Sequence, residues 1–147
     1  MIYLFDTNIL LHFLRSTPVK AFVITNYAPL SPADKVVISV VTIGEIKSIS
    51  IQNKWGVARS KALEDLYAEF IIADINAENI IQRYAEIDAY SQGKMPEKPL
   101  GHSSRNMGKN DLWIAATASI LQAELITTDH DFDHLHNTFL PVLKIKN

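Results

Sequence analysis

Apolar positions along this chain alternate between short continuous runs and helical spacings. The first run, Ile2–Phe5, is rich in β-branched and aromatic side chains, which is typical of a strand buried on both faces of a parallel sheet. Apolar residues then recur at three- and four-residue spacing from Ile9 to Leu14, which predicts a helix that Thr7 can cap. A second short helix is expected to follow, because proline is common in the first helical turn and Pro18 comes directly after a threonine.

The same alternation continues to the end of the chain. Pro29 and Pro32 mark a loop, and residues 91–109 form the longest stretch without periodicity. Further strands are predicted at residues 36–41, 70–75, 125–128 and 142–145, and further helices at 42–54, 59–70, 77–90 and after Asn110 as an N-cap. Strands separated by helices predict one three-layer α/β/α domain over residues 1–147, with a mainly parallel central sheet.

Composition narrows the functional classes. With 147 residues, 48% of them hydrophobic, the chain is expected to bury a core, and its formal charge of −2 does not indicate a nucleic-acid partner at the level of the whole chain. The absence of cysteine excludes disulfides, thiolate nucleophiles and cysteine-based zinc sites. No basic region precedes the first apolar run, so we expect neither a signal peptide nor a membrane span, and a cytoplasmic location.

Acidic residues follow or flank the predicted strands. Asp6 and Asp129 come directly after strands, Asp111 opens a helix, and Glu45 lies in the first turn of another. In open α/β sheets, ligands bind at the carboxyl ends of the strands, so all four can reach one site. Crowded carboxylates repel one another unless a cation neutralises them, and oxygen ligands favour Mg²⁺ or Mn²⁺. Taken singly, each residue is better explained as a turn or helix cap, and only their joint placement favours a site.

Four sequence motifs resemble those of the PIN-domain ribonucleases, in particular the toxins of VapBC-type toxin–antitoxin pairs. They are FDTNILLHF at residues 5–13, SVVTIGEIKSI at 39–49, MGKNDLWIAATA at 107–118 and LITTDHDF at 125–132. By this resemblance Asp6, Glu45, Asp111 and Asp129 take the catalytic and metal-binding positions, while Thr7 and Asn8 organise the first loop. Asp131 is an additional acid beside Asp129, and either of the two could face the metal.

The resemblance also implies a function. The expected activity is that of a Mg²⁺- or Mn²⁺-dependent endoribonuclease, in which a metal-activated water attacks the scissile phosphate of a structured RNA. Expected partners are a VapB-like antitoxin whose tail fills the acidic groove, and a second copy of the chain in a homodimer.

The predicted loop at residues 91–109 carries a local excess of basic residues. Backbone phosphates are bound mainly by Lys and Arg, so Lys94, Arg105 and Lys109 are candidate RNA-binding residues, with a solvated loop as the equally supported alternative.

Histidines and aromatic residues offer weaker candidates. His130, His134 and His136 suggest zinc, but no further cluster completes a tetrahedral site, so we expect surface histidines. Aromatic side chains at helical spacing more often pack than stack on bases, and we expect packing for Trp55, Tyr67, Phe70 and Trp113.

Alternative functions are less well supported. A phosphatase of the HAD type needs a second acid two residues after Asp6, where this chain has Asn8, and no pair of residues suited to a response-regulator receiver is evident. A non-catalytic PIN-like scaffold that binds RNA or protein would be expected to lack acidic positions, and none of the four is lost.

Overall fold

Helices and strands alternate along the chain. The computed structural model describes residues 1–27 and 31–147, so the predicted loop residue Pro29 lies outside it. No helix in those two ranges combines the length and the apolar character needed to cross a bilayer. In chain order the elements are β1 (Ile2–Phe5), α1 (Thr7–Arg15), α2 (Pro18–Tyr27), β2 (Lys35–Ser39), α3 (Val40–Gln52), α4 (Val57–Tyr67), β3 (Ile71–Ala73), α5 (Glu78–Ser91), α6 (Lys109–Leu121), β4 (Glu124–Thr127), a 3₁₀ helix (His130–Leu135) and β5 (Val142–Lys144).

The five strands form one sheet in the order β3-β2-β1-β4-β5, and all four pairings are parallel. Leu4 in β1 is the register partner of Val37 in β2 and of Leu125 in β4. β2 and β3 lie on one side of β1, while β4 and β5 lie on the other. The chain therefore changes direction across the sheet between β1 and β4, which is where open parallel sheets bind ligands.

Side chains on the two faces of the sheet build two separate cores. Along β1, Leu4 points into a cluster with Ile87 of α5 and Ile114 of α6, whereas Phe5 points into a cluster with Ile46 of α3. Successive strand residues point to opposite faces, so a sheet covered by helices on both sides needs apolar residues at every central position. The predicted three-layer α/β/α architecture is confirmed.

Four helices begin earlier than the sequence predicts: α4 begins at Val57 rather than at residue 59, and in the other three the cap precedes the predicted start. Asp6, not Thr7, is the N-cap of α1. Ser39 ends β2 and accepts a hydrogen bond from Val41 N at 3.0 Å, so α3 begins at Val40 and Glu45 lies in its second turn. The N-cap of α6 is Gly108, and Asn110 is already inside the helix.

Candidate active site

Asp6 is positioned by the end of β1 and the start of α1. Asp6 is buried, with 4% of its surface exposed. Each oxygen of its carboxylate accepts one hydrogen bond from the protein. Thr7 N donates to Oδ1 at 2.8 Å, and Thr127 Oγ1 donates to Oδ2 at 2.8 Å. Because a carboxylate oxygen accepts more than one hydrogen bond or ligand bond, both oxygens of Asp6 retain coordinating capacity.

Thr127 is a site residue that the sequence analysis did not single out. It ends β4, is fully buried, and accepts a hydrogen bond from Asp129 N at 3.0 Å while donating to Asp6. The hydroxyl therefore joins the end of β1 to the turn after β4. A threonine at the end of a buried strand, two residues before a site acid, was the available signal.

Glu45 is held beside Asp6 through a threonine hydroxyl. Thr7 Oγ1 donates to Glu45 Oε1 at 2.9 Å and lies 3.0 Å from Thr42 Oγ1. Since the single hydroxyl proton of Thr7 is directed to Glu45, the Thr42 hydroxyl is the donor in the second hydrogen bond. Glu45 therefore faces the start of α1 from the second turn of α3. Asn8, next to Thr7, is exposed.

Asp111 lies in the first turn of α6 and shows that the acidic residues converge. Its pKa is raised to about 7, first by burial and then by the negative charges of four other carboxylates: Asp6, Asp129, Asp131 and Glu45. The pKa of Asp6 is raised to about 6, chiefly by burial, although its hydrogen bonds from Thr127 and Thr7 oppose this rise. Like charges brought together out of water disfavour ionisation, so the site stores repulsion that a cation would relieve.

Residues 129–135, which we call the acidic turn, follow β4 directly. Asp129 is the N-cap of the 3₁₀ helix and accepts a hydrogen bond from Asp131 N at 3.0 Å. Asp111, Asp129 and Asp131 each present one carboxylate oxygen, and these three oxygens lie within 4.8 Å of one another. Asp129 and Asp131 therefore both face Asp111, and the geometry does not select one over the other. An all-oxygen set of this kind fits a hard divalent cation.

An open groove begins at these carboxylates. One cavity of about 460 Å³ is lined by Glu45, Gly108, Lys109, Asn110 and Asp111. A second, of about 540 Å³, shares Glu45 and Asn110 with it and continues along α3 as far as Gln52. The acidic site thus opens to the surface over a length suited to an extended ligand.

The predicted RNA-binding residues differ in their distance from this groove. Lys109 lines it directly. Arg105 Nη1 lies 3.5 Å from the carbonyl oxygen of His130, so its guanidinium is next to the acidic turn. Lys94 is exposed and follows α5, and no contact of its side chain with the site is seen among the described residues.

The expectation for the histidines is wrong in one case. His130 and His136 are exposed, but His134 is buried and its pKa is lowered to about 4, mainly because burial disfavours its charged form. The aromatic residues pack as expected. The Trp113 ring centroid lies 4.2 Å from that of Tyr84 and the Phe70 centroid 5.6 Å from that of Phe5, while Trp55 and Tyr67 are half-buried against the core on the α3 side.

Comparison with known proteins agrees with this geometry. The family model of the PIN domain matches residues 3–137. Ribonuclease VapC1 of Haemophilus influenzae strain R2866 is 31% identical over 127 residues, which covers 86% of each chain. Among solved structures, VapBC-1 from nontypeable Haemophilus influenzae aligns with a TM-score of 0.73 at 26% identity. VapBC2 from Rickettsia felis, bound to a DNA fragment from its promoter, aligns with a TM-score of 0.75 at 20% identity, and both alignments cover 98% of each chain.

Proposed function

Because this chain belongs to the PIN domain family, we propose that it is a metal-dependent endoribonuclease and the toxin of a toxin–antitoxin pair. The observation that carries the proposal is the convergence of the acidic residues at the carboxyl ends of β1 and β4. Asp111 supports this convergence most directly, because its pKa is raised by the charges of four acids: Asp6, Glu45, Asp129 and Asp131. Burying so much like charge destabilises the fold, which a merely structural cluster would not require.

We assign the cofactor as Mg²⁺ or Mn²⁺, held by Asp6, Glu45, Asp111 and Asp129, with Asp131 as the alternative to Asp129 because both acids face Asp111. When bound, such an ion lowers the pKa of a water molecule and neutralises charge on the phosphate. Thr7 and Thr127 hold Glu45 and Asp6 in place by donating to their carboxylates. One oxygen of Glu45 accepts from Thr7, which would leave the other oxygen available to the ion.

The relatives of this chain suggest its partners. VapC1 of Haemophilus influenzae is called a ribonuclease, and the similar solved structures are VapBC assemblies. On this basis the substrate is RNA, the partner is a VapB-like antitoxin that covers the acidic groove, and the expected location is the cytoplasm. We also expect a homodimer, in line with the family resemblance.

The test is cleavage of total cellular RNA by the purified chain without a partner, with Mn²⁺ or Mg²⁺, compared with EDTA and with Asp6→Asn. Asp65→Asn is the matched control, because Asp65 is an exposed acid on α4 that pairs with Lys61. We expect discrete fragments from wild type and from Asp65→Asn. In Asp6→Asn we expect the cleavage rate to fall by at least about 100-fold. Full activity of Asp6→Asn would refute the assignment. A folded protein that binds Mn²⁺ and RNA without cutting would instead support a non-catalytic scaffold.

A further inference from the structure

A buried histidine and a buried serine connect the acidic turn to the helix that precedes the long loop. His134 is 8% exposed and Ser91, the last residue of α5, is fully buried. Their side chains meet at 2.7 Å, from His134 Nε2 to Ser91 Oγ. This contact joins residues 43 positions apart, and its burial means that water cannot replace it.

The direction of the hydrogen bond follows from the other partner of Ser91. Its hydroxyl donates to Met107 Sδ at 3.3 Å, so it must accept from the Nε2–H of His134. Nδ1 is then the unprotonated nitrogen, and it is buried with no hydrogen-bond partner among the described residues. Burial, with Arg105 and His102 nearby, lowers the pKa of His134 to about 4, whereas Asp133 acts in the opposite direction, so the ring is neutral at pH 7.

Residues 92–108, which we call the basic loop, close over this pair. Arg105 N donates to the carbonyl oxygen of Ser91 at 2.6 Å, so the two ends of the loop meet at one point. The rings of Tyr90 and His134 are parallel within 4°, and the ring of His102 stands perpendicular to that of His134 at a centroid distance of 5.9 Å. Side chains from α5 and from the loop thus surround His134 on several sides.

The same arrangement brings the loop to the candidate active site. His134 belongs to the acidic turn that carries Asp129 and Asp131, and the Arg105 guanidinium reaches the carbonyl oxygen of His130 in that turn. The loop has no helix or strand of its own, so its position depends on these contacts. A displacement at Ser91 would therefore move Arg105 relative to the carboxylates.

We propose that His134 and Ser91 are positioning residues that hold the basic loop against the acidic turn and thereby set the affinity for the RNA substrate. This inference rests on the proposed function. The pair touches neither the carboxylates nor the groove residues, so its loss affects binding of the phosphate backbone through Arg105 more than the bond-breaking step.

Two variants remove the hydrogen bond and one retains it. His134→Leu and Ser91→Ala delete one partner each, and His134→Gln keeps an N–H donor at a similar distance from the backbone. Ser103→Ala, an exposed serine of the same loop, is the control for Ser91→Ala. Hydrogen exchange at the Arg105 amide reports loop anchoring, and steady-state cleavage of an RNA oligonucleotide with Mn²⁺ separates KM from kcat.

Faster exchange at Arg105 in both deletion variants is expected, with KM raised about 3- to 10-fold, as for loss of one buried hydrogen bond, kcat within about twofold and Mn²⁺ affinity unchanged. His134→Gln should restore both readouts, and Ser103→Ala should resemble wild type.

Unchanged exchange at Arg105 would overturn the anchoring role. Faster exchange with an unchanged KM, or a fall in kcat and in Mn²⁺ affinity instead, would overturn the effect on substrate binding. A wild-type protein that cleaves no RNA would refute the proposed function, and with it the substrate effect, whereas the exchange result would still decide whether the pair anchors the loop.

Discussion

Asp111 shows at the scale of one residue why this site calls for a cation. Its carboxylate is half-buried, faces other carboxylates and has a pKa raised to about 7, so without a cation it is only partly ionised at neutral pH. A bound divalent ion would favour the ionised form, and binding would release a proton near neutrality. The affinity for the metal should therefore rise as the pH increases from 6 to 8.

The raised pKa of Asp111 also predicts how stability depends on pH. An aspartate in the unfolded chain has a pKa of about 3.9. Between that pH and about 7, the folded chain therefore binds one more proton at Asp111 than the unfolded chain does. The free energy of unfolding of the metal-free protein should therefore fall as the pH rises through this window. Asp111→Asn removes the titration, so its Tm should depend less on pH and exceed that of wild type by about 2–4 °C at pH 8.

Thermal melts in EDTA at several pH values between 4.5 and 8 measure this difference. Adding Mn²⁺ at pH 8 should raise the Tm of wild type and leave that of Asp111→Asn nearly unchanged, because ligand binding to the folded state alone stabilises it. If the Tm of the two proteins changed with pH in the same way, the pKa of Asp111 would not be raised in the folded protein.

At the scale of one element, Asp6 begins helix α1 as well as facing the site. As the N-cap it satisfies the Thr7 N–H, and asparagine is as good a cap as aspartate whereas alanine is poor. Asp6→Ala should thus be less stable than Asp6→Asn by about 1 kcal/mol, although both should lose RNA cleavage. Urea unfolding of the two variants tests this, and equal stabilities would mean that the cap contributes nothing.

The elements themselves were largely predictable from the sequence, and their ends were not. Periodicity identifies a buried strand such as Ile2–Phe5 because apolar residues must continue on both faces. A cap depends on which neighbouring side chain reaches a free N–H at the helix start. Asp6 takes this role in α1 instead of the predicted Thr7, and Ser39 takes it in α3, which begins two residues before its predicted start. His134 was missed because a polar residue in an irregular turn gives no periodic signal of burial.

At the scale of the whole molecule, the site depends on strand order. Asp6 and Asp129 are far apart in the sequence, yet β1 and β4 are neighbours, so both residues reach the same edge of the sheet. The rule that ligands bind at the carboxyl ends of parallel strands predicted this edge without the strand order. It could not predict how the basic loop packs, since that depends on single contacts such as the one from Arg105 N to the Ser91 carbonyl oxygen.

The distribution of charge over the molecule predicts how RNA binding depends on salt. The chain carries a net charge of −2 and its groove begins at carboxylates, so attraction of RNA must come from local cations such as Arg105 and Lys109. Each phosphate contact on a single strand contributes about 0.7 to the slope of log affinity against log salt, so losing two should reduce the magnitude of the slope by about 1.4. The variant is Arg105→Ala/Lys109→Ala, built in an Asp6→Asn background to prevent cleavage.

Fluorescence anisotropy of a labelled RNA oligonucleotide at several salt concentrations measures the slope. The control is Lys35→Ala, because Lys35 is an exposed lysine that begins β2 at the opposite, amino edge of the sheet. A slope that stays the same in the double variant would place the phosphate path away from Arg105 and Lys109. A reduced slope in the double variant and an unchanged one in Lys35→Ala would locate RNA binding at the carboxyl edge of the sheet, because only there do the basic loop and the carboxylates meet.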